Sequence, residues 1–562
     1  MTVQHLSKEQ IYAAATQAHQ QQRFEDAKAL YFLLIKQGMA DAGVYNRVGS
    51  LFDVCGQLEQ AITFYKEAVK LQPSFVAAHY NMANAYRDQS LFAPAIEHYQ
   101  LALNFNPNHT DALCCLHHAL QHVCAWDEYE ALTPKVEKAV KKALKHGKRC
   151  PETPFVHITR CDDQATNLKV ANNWANDVVN MIKGQRQPFV HDADKIKPKQ
   201  VLTIGYISRN FRDRPTGHLA ASLFSQHNRH HVKVHVYAYG PNDGSYWRKK
   251  IEQDADEFID IESMHYTQAA QRIYDDGVDI LVDMMGYMAL NRLEIAALKP
   301  APIQITYLGF PGTIGGGIFD YLLTDEICVP QDQAQYMDEQ LLYMPNCYQV
   351  NDPKPPIASE GLARHECGLP EEGVVFCSFN WSHKLDRKMF LCWMRILKQV
   401  QGSVLWLWHS SDLAVSNLKA TAKEQGVEPD RLIFGKKLPK DQHLARIKLA
   451  DIMLDTRIYG GHTTATDCLT VGVPVISMKG RHFASRVGAS LLTNIGLEDC
   501  IVDSLEHYEL LAVRLGEDEK LLQQLKTRLV NNQSSKPLFD ICGFVNNLEQ
   551  QYKKVWEMAC KK

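Results

Sequence analysis

A spacing of 34 residues near the start of the chain constrains its fold more than any other feature. Alanine and tyrosine recur at that interval, at Ala27, Ala61, Ala95, Tyr31, Tyr65 and Tyr99. Gly49 and Ala83 hold a second small position, and Pro73 and Pro107 keep the same step. Small residues let two antiparallel helices approach, aromatic side chains fill the crevice between them, and proline ends the second helix. The pattern therefore predicts stacked helical hairpins.

The length and order of this pattern are typical of tetratricopeptide repeats. Three units cover about residues 8–109, and a fourth decays at Tyr129, so residues 126–145 are predicted to form a lysine-rich capping helix. An unrelated helical bundle is the alternative interpretation. Because such arrays present a concave surface to peptides or to another copy of themselves, a peptide partner and a homo-oligomer are both hypotheses for this chain.

From about residue 200 the hydrophobic pattern changes to short runs rich in β-branched residues, separated by helical stretches. These runs lie at 201–208, 233–240, 279–286 and 303–310, and, after a proline-rich break at 351–361, at 374–379, 403–408, 431–435, 450–456 and 473–478. Strands alternating with helices indicate parallel sheets covered on both faces. We therefore predict two Rossmann-like α/β lobes with a ligand cleft at the carboxyl ends of their strands, tied together by a terminal helix at about 540–558.

This organisation gives five predicted segments: a repeat array with its capping helix, a helical linker, a first lobe, a second linker, and a second lobe with the terminal helix. They cover residues 1–145, 146–199, 200–350, 351–370 and 371–562.

Composition argues against several classes of partner. A formal charge of -3 and a pI near 6.8 give no basic footprint for a nucleic acid. No run approaches the roughly 20 apolar residues that span a bilayer, and the polar first residues lack a secretion signal. Fifteen scattered cysteines without a C-x-x-C spacing argue against disulfides or zinc. We expect a cytoplasmic protein without a nucleic-acid or membrane partner.

The segment 454–475, LDTRIYGGHTTATDCLTVGVPV, carries the strongest signal for chemistry. A buried strand ends before a tight glycine turn, and His462, Thr463 and Thr464 then open a helix that carries Asp467. Free amides at a helix start, with two threonine hydroxyls, form a receptor for a diphosphate. Asp467 is then close enough to accept hydrogen bonds from a ribose. The alternative is that the threonines only cap the helix, and we expect capping in either case.

Two further segments of the second lobe point towards the same cleft. Lys384, after the first strand of the lobe, is placed to neutralise a leaving diphosphate, although a solvated surface lysine is the alternative. In 438–451, His443 is placed to stack on a base, and Lys440 or Arg446 to reach a ribose or phosphate. A charged amphipathic helix start explains that segment equally well.

In the first lobe, the loop 208–222 follows the first strand and brings Arg214 and His218 towards the cleft. The glycine-rich segment 307–317 does not match a dinucleotide fingerprint, because its glycine spacing is wrong. We interpret it as backbone that lines a sugar pocket. The DAD triplets at 192–194 and 254–256 suggest metal ligands, but we interpret them as solvated acidic residues.

Several ordered motifs together resemble a known family. VCAWDEY (123–129), GYISRNF (205–211), LKPAPIQITYLGFPGT (298–313), LADIMLDT (449–456), GHTTATD (461–467) and ASRVGAS (484–490) are similar to the protein O-linked N-acetylglucosamine transferases and their bacterial relatives. The resemblance covers nearly the whole chain. It implies a GT-B fold of two lobes, a UDP-sugar donor, a protein acceptor, transfer with inversion, and no metal or other cofactor.

The resemblance also implies roles for single residues. Lys384 matches the family's phosphate-binding lysine, and His443 its base-stacking histidine, with Lys440 and Arg446 beside it. The phosphate and ribose site corresponds to His462, Thr463, Thr464 and Asp467.

The chain departs from the family at three positions. Arg214 stands where a histidine is usual before Pro215, and an arginine is not a base at neutral pH; His218, four residues on, is a partial substitute. Trp381 and Glu257 replace a polar residue and a histidine. Transfer of glucose or fucose, an asparagine acceptor, and a binding scaffold with weakened catalysis therefore stay open as alternatives to transfer of N-acetylglucosamine to serine or threonine.

Overall fold

The computed structural model describes residues 7–21, 23–192 and 196–561 of the 562-residue chain. The chain divides into two compact units. One is the part up to Lys142 together with Ser410–Leu418, and the other is Ala143–His409 with the part from Lys419 onwards.

The first unit is a helical repeat array, as the 34-residue spacing predicts. Its helices form antiparallel pairs: α1 (Lys8–Gln20), α2 (Phe24–Lys36), α3 (Ala42–Val54), α4 (Leu58–Leu71), α5 (Val76–Asp88), α6 (Phe92–Phe105), α7 (Thr110–His122) and α8 (Trp126–Lys145). The recurring residues Ala27, Tyr31, Ala61, Tyr65, Ala95 and Tyr99 are all fully buried. Helix α8 is the capping helix expected over 126–145.

The small position at Gly49 gives a test of this packing. A methyl group added there would lie 2.5 Å from the buried Tyr65 ring. We expect Gly49→Ala to destabilise the array by about 1–2 kcal/mol, because the overpacking cost of about 1–3 kcal/mol outweighs the gain in helix propensity. Urea unfolding followed by circular dichroism measures this change. Val54→Ala, an exposed position on the same helix, serves as control, and equal midpoints for the two variants would contradict the packing.

The second unit begins with two linking helices, α9 (Pro154–Ile158) and α10 (Gln164–Lys183), and continues into the first lobe. The strands of this lobe are β1 (Leu202–Ser208), β2 (Val232–Ala238), β3 (Glu257–Asp260), β4 (Ile280–Asp283), β5 (Ile303–Thr306), β6 (Tyr321–Thr324) and β7 (Gln340–Tyr343). Its helices are α11 (Pro215–Ala220), α12 (Leu223–Gln226), α13 (Tyr246–Asp254), α14 (Tyr266–Asp275) and α15 (Leu293–Ala297). All strand pairs are parallel, in the order β3-β2-β1-β4-β5-β6-β7.

The second lobe repeats this design after the linker. Its strands are β8 (Val375–Ser378), β9 (Val404–Trp408), β10 (Leu432–Gly435), β11 (Ile452–Leu454), β12 (Val475–Met478) and β13 (Ile501–Val502), all parallel in the order β10-β9-β8-β11-β12-β13. Its helices are α16 (Arg387–Gln399), α18 (Lys440–Ile447), α19 (Thr463–Thr470), α20 (Val487–Ile495), α21 (Leu505–Glu517), α22 (Glu519–Asn532) and α23 (Ile541–Ala559). Helix α17 (Asp412–Glu424) follows β9, and its residues up to Leu418 belong to the first unit. The strand order reverses beside β8 and β11, where α/β sheets of this type bind ligands.

The terminal helix α23 ties the two lobes together, as expected. The Tyr552 hydroxyl lies 3.0 Å from the Tyr206 hydroxyl on β1, and Glu549 Oε1 lies 2.8 Å from His227 Nδ1. Elsewhere between the lobes, Gln349 Nε2 donates to Thr466 Oγ1 on α19 over 2.7 Å. The lobes are therefore joined by specific polar contacts close to α19. The helices and strands lie within the five predicted segments, whose boundaries stay a prediction.

Within the described chain, no helix is both long and apolar enough to cross a lipid bilayer.

Candidate functional site

The turn between β11 and α19 is organised by the buried carboxylate of Asp455. Its Oδ1 accepts hydrogen bonds from the amides of Gly461 and Thr456 at 2.6 and 2.8 Å and from Asn380 Nδ2 at 3.1 Å. Its Oδ2 accepts from Ser477 Oγ at 2.8 Å. A carboxylate with this many donors fixes a loop, because each buried bond left unmade is costly. Asp455 therefore holds the glycine turn and aims the start of α19.

The start of α19 presents unused donors. His462 is the N-cap residue and makes no side-chain capping bond. Among the described residues, the amides of Thr463, Thr464 and Ala465 have no hydrogen-bond acceptor. Thr464 Oγ1 instead donates to Asn380 Oδ1 over 2.6 Å. The expected capping by a threonine is thus wrong, and the uncapped amides keep the capacity to bind an anion.

Lys384 lies beside this helix start rather than in solvent. It ends a short 3-10 turn after β8, and its Nζ donates to the Gly460 carbonyl over 3.0 Å. The ammonium also sits 4.3 Å from the centre of the Tyr459 ring, on which His462 stacks at 5.1 Å. The fold therefore brings a lysine from one segment to the glycine turn of another.

The charges at this helix start are controlled by burial. Burial lowers the pKa of Lys384 to about 8, and the nearby Asp455 carboxylate opposes that shift. Burial, together with the charge of Lys384, lowers the pKa of His462 to about 3, so its imidazole is neutral near pH 7. Lys384 is consequently the cation of this subsite, and His462 offers only a neutral ring.

A second subsite surrounds His443 on α18. Its ring meets Phe379 edge to face at 5.0 Å, and its Nδ1 accepts from Arg446 Nε over 3.0 Å. Burial lowers the pKa of His443 to about 3, so the ring is uncharged. Arg446 is 3% exposed and donates to the Lys436 carbonyl, yet within the described chain its Nη2 has no acceptor. A flat neutral ring beside an unused guanidinium donor suits a nucleobase with a carbonyl edge.

Lys440 and Asp467 link the two subsites. Lys440 Nζ and Asp467 Oδ1 are 2.5 Å apart, and their side chains are 8% and 11% exposed. Lys440 is the first residue of α18, and Asp467 lies in the second turn of α19. Both lie between the base-like and phosphate-like subsites, where a ribose is expected.

The first lobe contributes the loop before α11. His218 Nε2 lies 2.7 Å from Asp213 Oδ1, and the His218 ring packs 4.4 Å from that of Trp247. Arg214 is the N-cap residue of α11, makes no side-chain cap, and is exposed. The loop therefore offers a half-buried imidazole and an exposed guanidinium.

Two residues at which the chain departs from the family differ in their surroundings. Trp381 follows β8, is 44% exposed, and its ring lies 6.0 Å from that of Trp408. Glu257 opens β3, at the end of the strand away from the cleft, and lies 3.9 Å from Lys233.

The remaining sequence hypotheses concern the DAD triplets and the glycine-rich segment. Asp254 pairs with Lys250 and Asp256 with Arg229, so these acids are ion-paired rather than simply solvated. Residues 193 and 194 of the other triplet lie outside the described residues. The segment 307–317 packs against α10, where its Gly316 amide donates to Asn172 Oδ1 over 2.7 Å. Its place in a sugar pocket stays a prediction.

Sequence reasoning missed Asn380 and Tyr459 and gave Asp455 no role. Asn380 forms hydrogen bonds to both Asp455 and Thr464, which lie 75 and 84 positions further along the chain. The polar SFN segment after a buried strand was the available signal for Asn380. Nothing in the local sequence distinguishes Tyr459 from a core residue.

Two stacked Rossmann-like lobes with the site on the second lobe define the GT-B fold, the architecture of a large class of glycosyltransferases. A solved structure of the same architecture, a mutant of the Thermobaculum terrenum O-GlcNAc transferase, matches with a TM-score of 0.72 over 98% of both chains at 24% identity. At that identity the match speaks for the fold alone.

Comparison with protein-family models then identifies the family within this class of glycosyltransferases. The family model for glycosyl transferase family 41 matches residues 123–359 and 358–548, and tetratricopeptide models match 54–90 and 76–109. The chain belongs to glycosyl transferase family 41. It is 36% identical over 79% of its length to a probable UDP-N-acetylglucosamine–peptide N-acetylglucosaminyltransferase of Arabidopsis thaliana, and 27% identical over 78% to the enzyme of that name from Caenorhabditis elegans. It covers 46% and 48% of those proteins, so it spans about half the length of these curated relatives.

Proposed function

We propose that this protein transfers N-acetylglucosamine from a UDP donor to serine or threonine hydroxyls of proteins, with inversion at the anomeric carbon. The observation that carries the proposal is the uncapped start of α19 beside the half-buried ammonium of Lys384. That pair forms a receptor for a diphosphate whose charge increases as a glycosidic bond breaks.

The nucleotide is expected to extend from this receptor towards α18. The diphosphate takes the amides of Thr463 and Thr464, the ribose displaces the contact between Lys440 and Asp467, and the base stacks on His443. A uracil carbonyl is a suitable acceptor for the free Nη2 of Arg446.

The reaction follows from this arrangement as a single displacement. The acceptor oxygen forms a bond to the anomeric carbon while the bond from that carbon to the phosphate oxygen breaks, and UDP leaves. Lys384 and the amide dipoles of α19 neutralise the new charge on the phosphate. Because these groups supply the positive charge, the proposal requires no metal ion or other cofactor.

Two observations support a protein acceptor. The relatives named above are peptide transferases, and the repeat array is a kind of surface that binds extended peptides. The concave face of α1–α8 is the proposed place for the acceptor.

Mass spectrometry of a peptide library incubated with UDP-N-acetylglucosamine tests the proposal. We expect addition of one N-acetylhexosamine to serine or threonine, unchanged by a chelator. Addition from UDP-glucose or GDP-fucose alone would show a different sugar, and UDP binding without any transfer would favour a scaffold.

The pKa of Lys384 gives a pH prediction. Its charge is present below a pH of about 8 and is lost as the pH rises through that value. We expect the affinity for UDP to fall by up to about tenfold per pH unit above that point, because the uncharged amine binds the diphosphate poorly. Calorimetric titrations between pH 7 and pH 10 measure this, and an affinity that stays constant over this range would contradict a role for the lysine charge.

A further inference from the structure

The loop before α11 holds a carboxylate–imidazole pair that the donor site does not use. His218 Nε2 and Asp213 Oδ1 are 2.7 Å apart. The His218 hydrogen bond lowers the pKa of Asp213, so this carboxylate is ionised near neutral pH and only accepts hydrogen bonds. Nε2 must therefore carry the proton, which leaves Nδ1 of the neutral ring with a free electron pair.

The imidazole is placed where a proton acceptor is useful. Its side chain is 13% exposed and is shielded on one side by Trp247. Lys440 and Asp467 of the second lobe lie close enough to shift the pKa of His218. His218 in turn contributes to the lowered pKa of His443. The pair thus faces the proposed donor groups across the cleft between the lobes.

The charge state of the ring also suits a base. Burial lowers the pKa of His218, Lys440 lowers it further, and Asp213 and Asp467 raise it, with a net shift downwards. The ring is therefore uncharged near pH 7. Arg214, four residues earlier, has no such capacity, because an arginine is not a base at neutral pH.

We propose that His218 is the general base of the transfer and that Asp213 is its positioning residue. This inference rests on the proposed function. The acceptor O–H gives its proton to Nδ1 of His218 as its oxygen bonds to the anomeric carbon, and the electron pair of the broken bond leaves with UDP. Asp213 fixes the tautomer and stabilises the imidazolium that forms.

The test compares His218→Gln and Asp213→Asn with a matched pair elsewhere. His507 Nδ1 and Asp503 Oδ1 are 2.8 Å apart on the exposed surface near β13, so His507→Gln and Asp503→Asn serve as controls. For each protein, the affinity for UDP is measured by calorimetry, and kcat and KM for peptide transfer are measured as functions of pH.

We expect His218→Gln to lower kcat by about 10²–10⁴-fold while its affinity for UDP stays within about twofold of wild type. Asp213→Asn should lower kcat by about tenfold or more and move the acid limb of the kcat/KM profile to lower pH, because the carboxylate that raises the histidine pKa is gone. Both control variants should behave as wild type. Added imidazole should partly restore a His218→Ala variant.

Four results would overturn the dyad. If His218→Gln keeps the wild-type kcat, this residue is not the base. If its activity falls only because UDP binds more weakly, His218 contacts the nucleotide-sugar donor instead. If Asp213→Asn lowers kcat but does not move the acid limb of the kcat/KM profile, the Asp213 carboxylate has a structural role only. A wild-type protein that binds no UDP and transfers no sugar would remove the proposed function itself, and the dyad with it.

Discussion

Lys384→Ala is expected to abolish detectable sugar transfer in a protein that still folds. The ammonium is the one cation at the uncapped start of α19 among the described residues, 3.0 Å from the Gly460 carbonyl. Removing a preorganised group that stabilises charge in the transition state typically costs about 10²–10³ in kcat. We expect at least that loss, because a full unit charge is removed from a buried site.

Initial rates of peptide glycosylation measure this effect, and thermal unfolding checks the fold. The melting temperature should change little, since burial already disfavours the charged form of Lys384. Lys388→Ala, an exposed lysine on α16, is the matched control and should retain wild-type activity. Normal turnover by a folded Lys384→Ala protein would remove this lysine from the mechanism.

Asp467→Asn is expected to weaken UDP binding by about 10–100-fold. The carboxylate is buried beside Lys440 at 2.5 Å and is the proposed acceptor for the ribose hydroxyls. A hydrogen bond to a charged acceptor contributes about 1.5–3 kcal/mol, and the substitution also leaves Lys440 without its counter-charge.

Competition titrations separate this role from that of Lys384. Asp467→Asn should weaken the binding of UDP and uridine but leave the affinity for inorganic pyrophosphate within about threefold of wild type. Lys384→Ala should weaken the binding of pyrophosphate. Asp430→Asn, which breaks the exposed contact to Lys419, is the control. Equal losses for UDP and pyrophosphate in Asp467→Asn would place this carboxylate at the phosphates instead of the ribose.

The array and the longer strands could be predicted because their signals are periodic. Tyr31, Tyr65 and Tyr99 recur at a fixed interval because each fills an equivalent crevice, and all three are fully buried. The runs that became β1, β2 and β9 are long and apolar. By contrast, β3 and β7 are edge strands whose residues are mostly exposed or half-buried. They therefore lack the continuous apolar run that made four-residue strands such as β4 and β8 predictable.

The site could be predicted only as separate pieces. The start of α19 could be predicted, because His462, Thr463 and Thr464 are adjacent in the sequence. The pairing of Lys440 with Asp467, 27 residues apart, and the bond from Asn380 to Asp455 depend on neighbouring strands ending at one sheet edge. Threonine capping was the expected local outcome, and it fails because Asn380 takes the Thr464 hydroxyl.

Calorimetric titration of UDP and GDP into the wild-type protein, Lys384→Ala and Asp467→Asn tests the central claim most directly. The account predicts saturable binding of UDP by the wild type, much weaker binding of GDP, and a reduced affinity for UDP in both variants. Binding of GDP without UDP, or an affinity for UDP that neither substitution changes, would contradict a uridine diphosphate site at the start of α19.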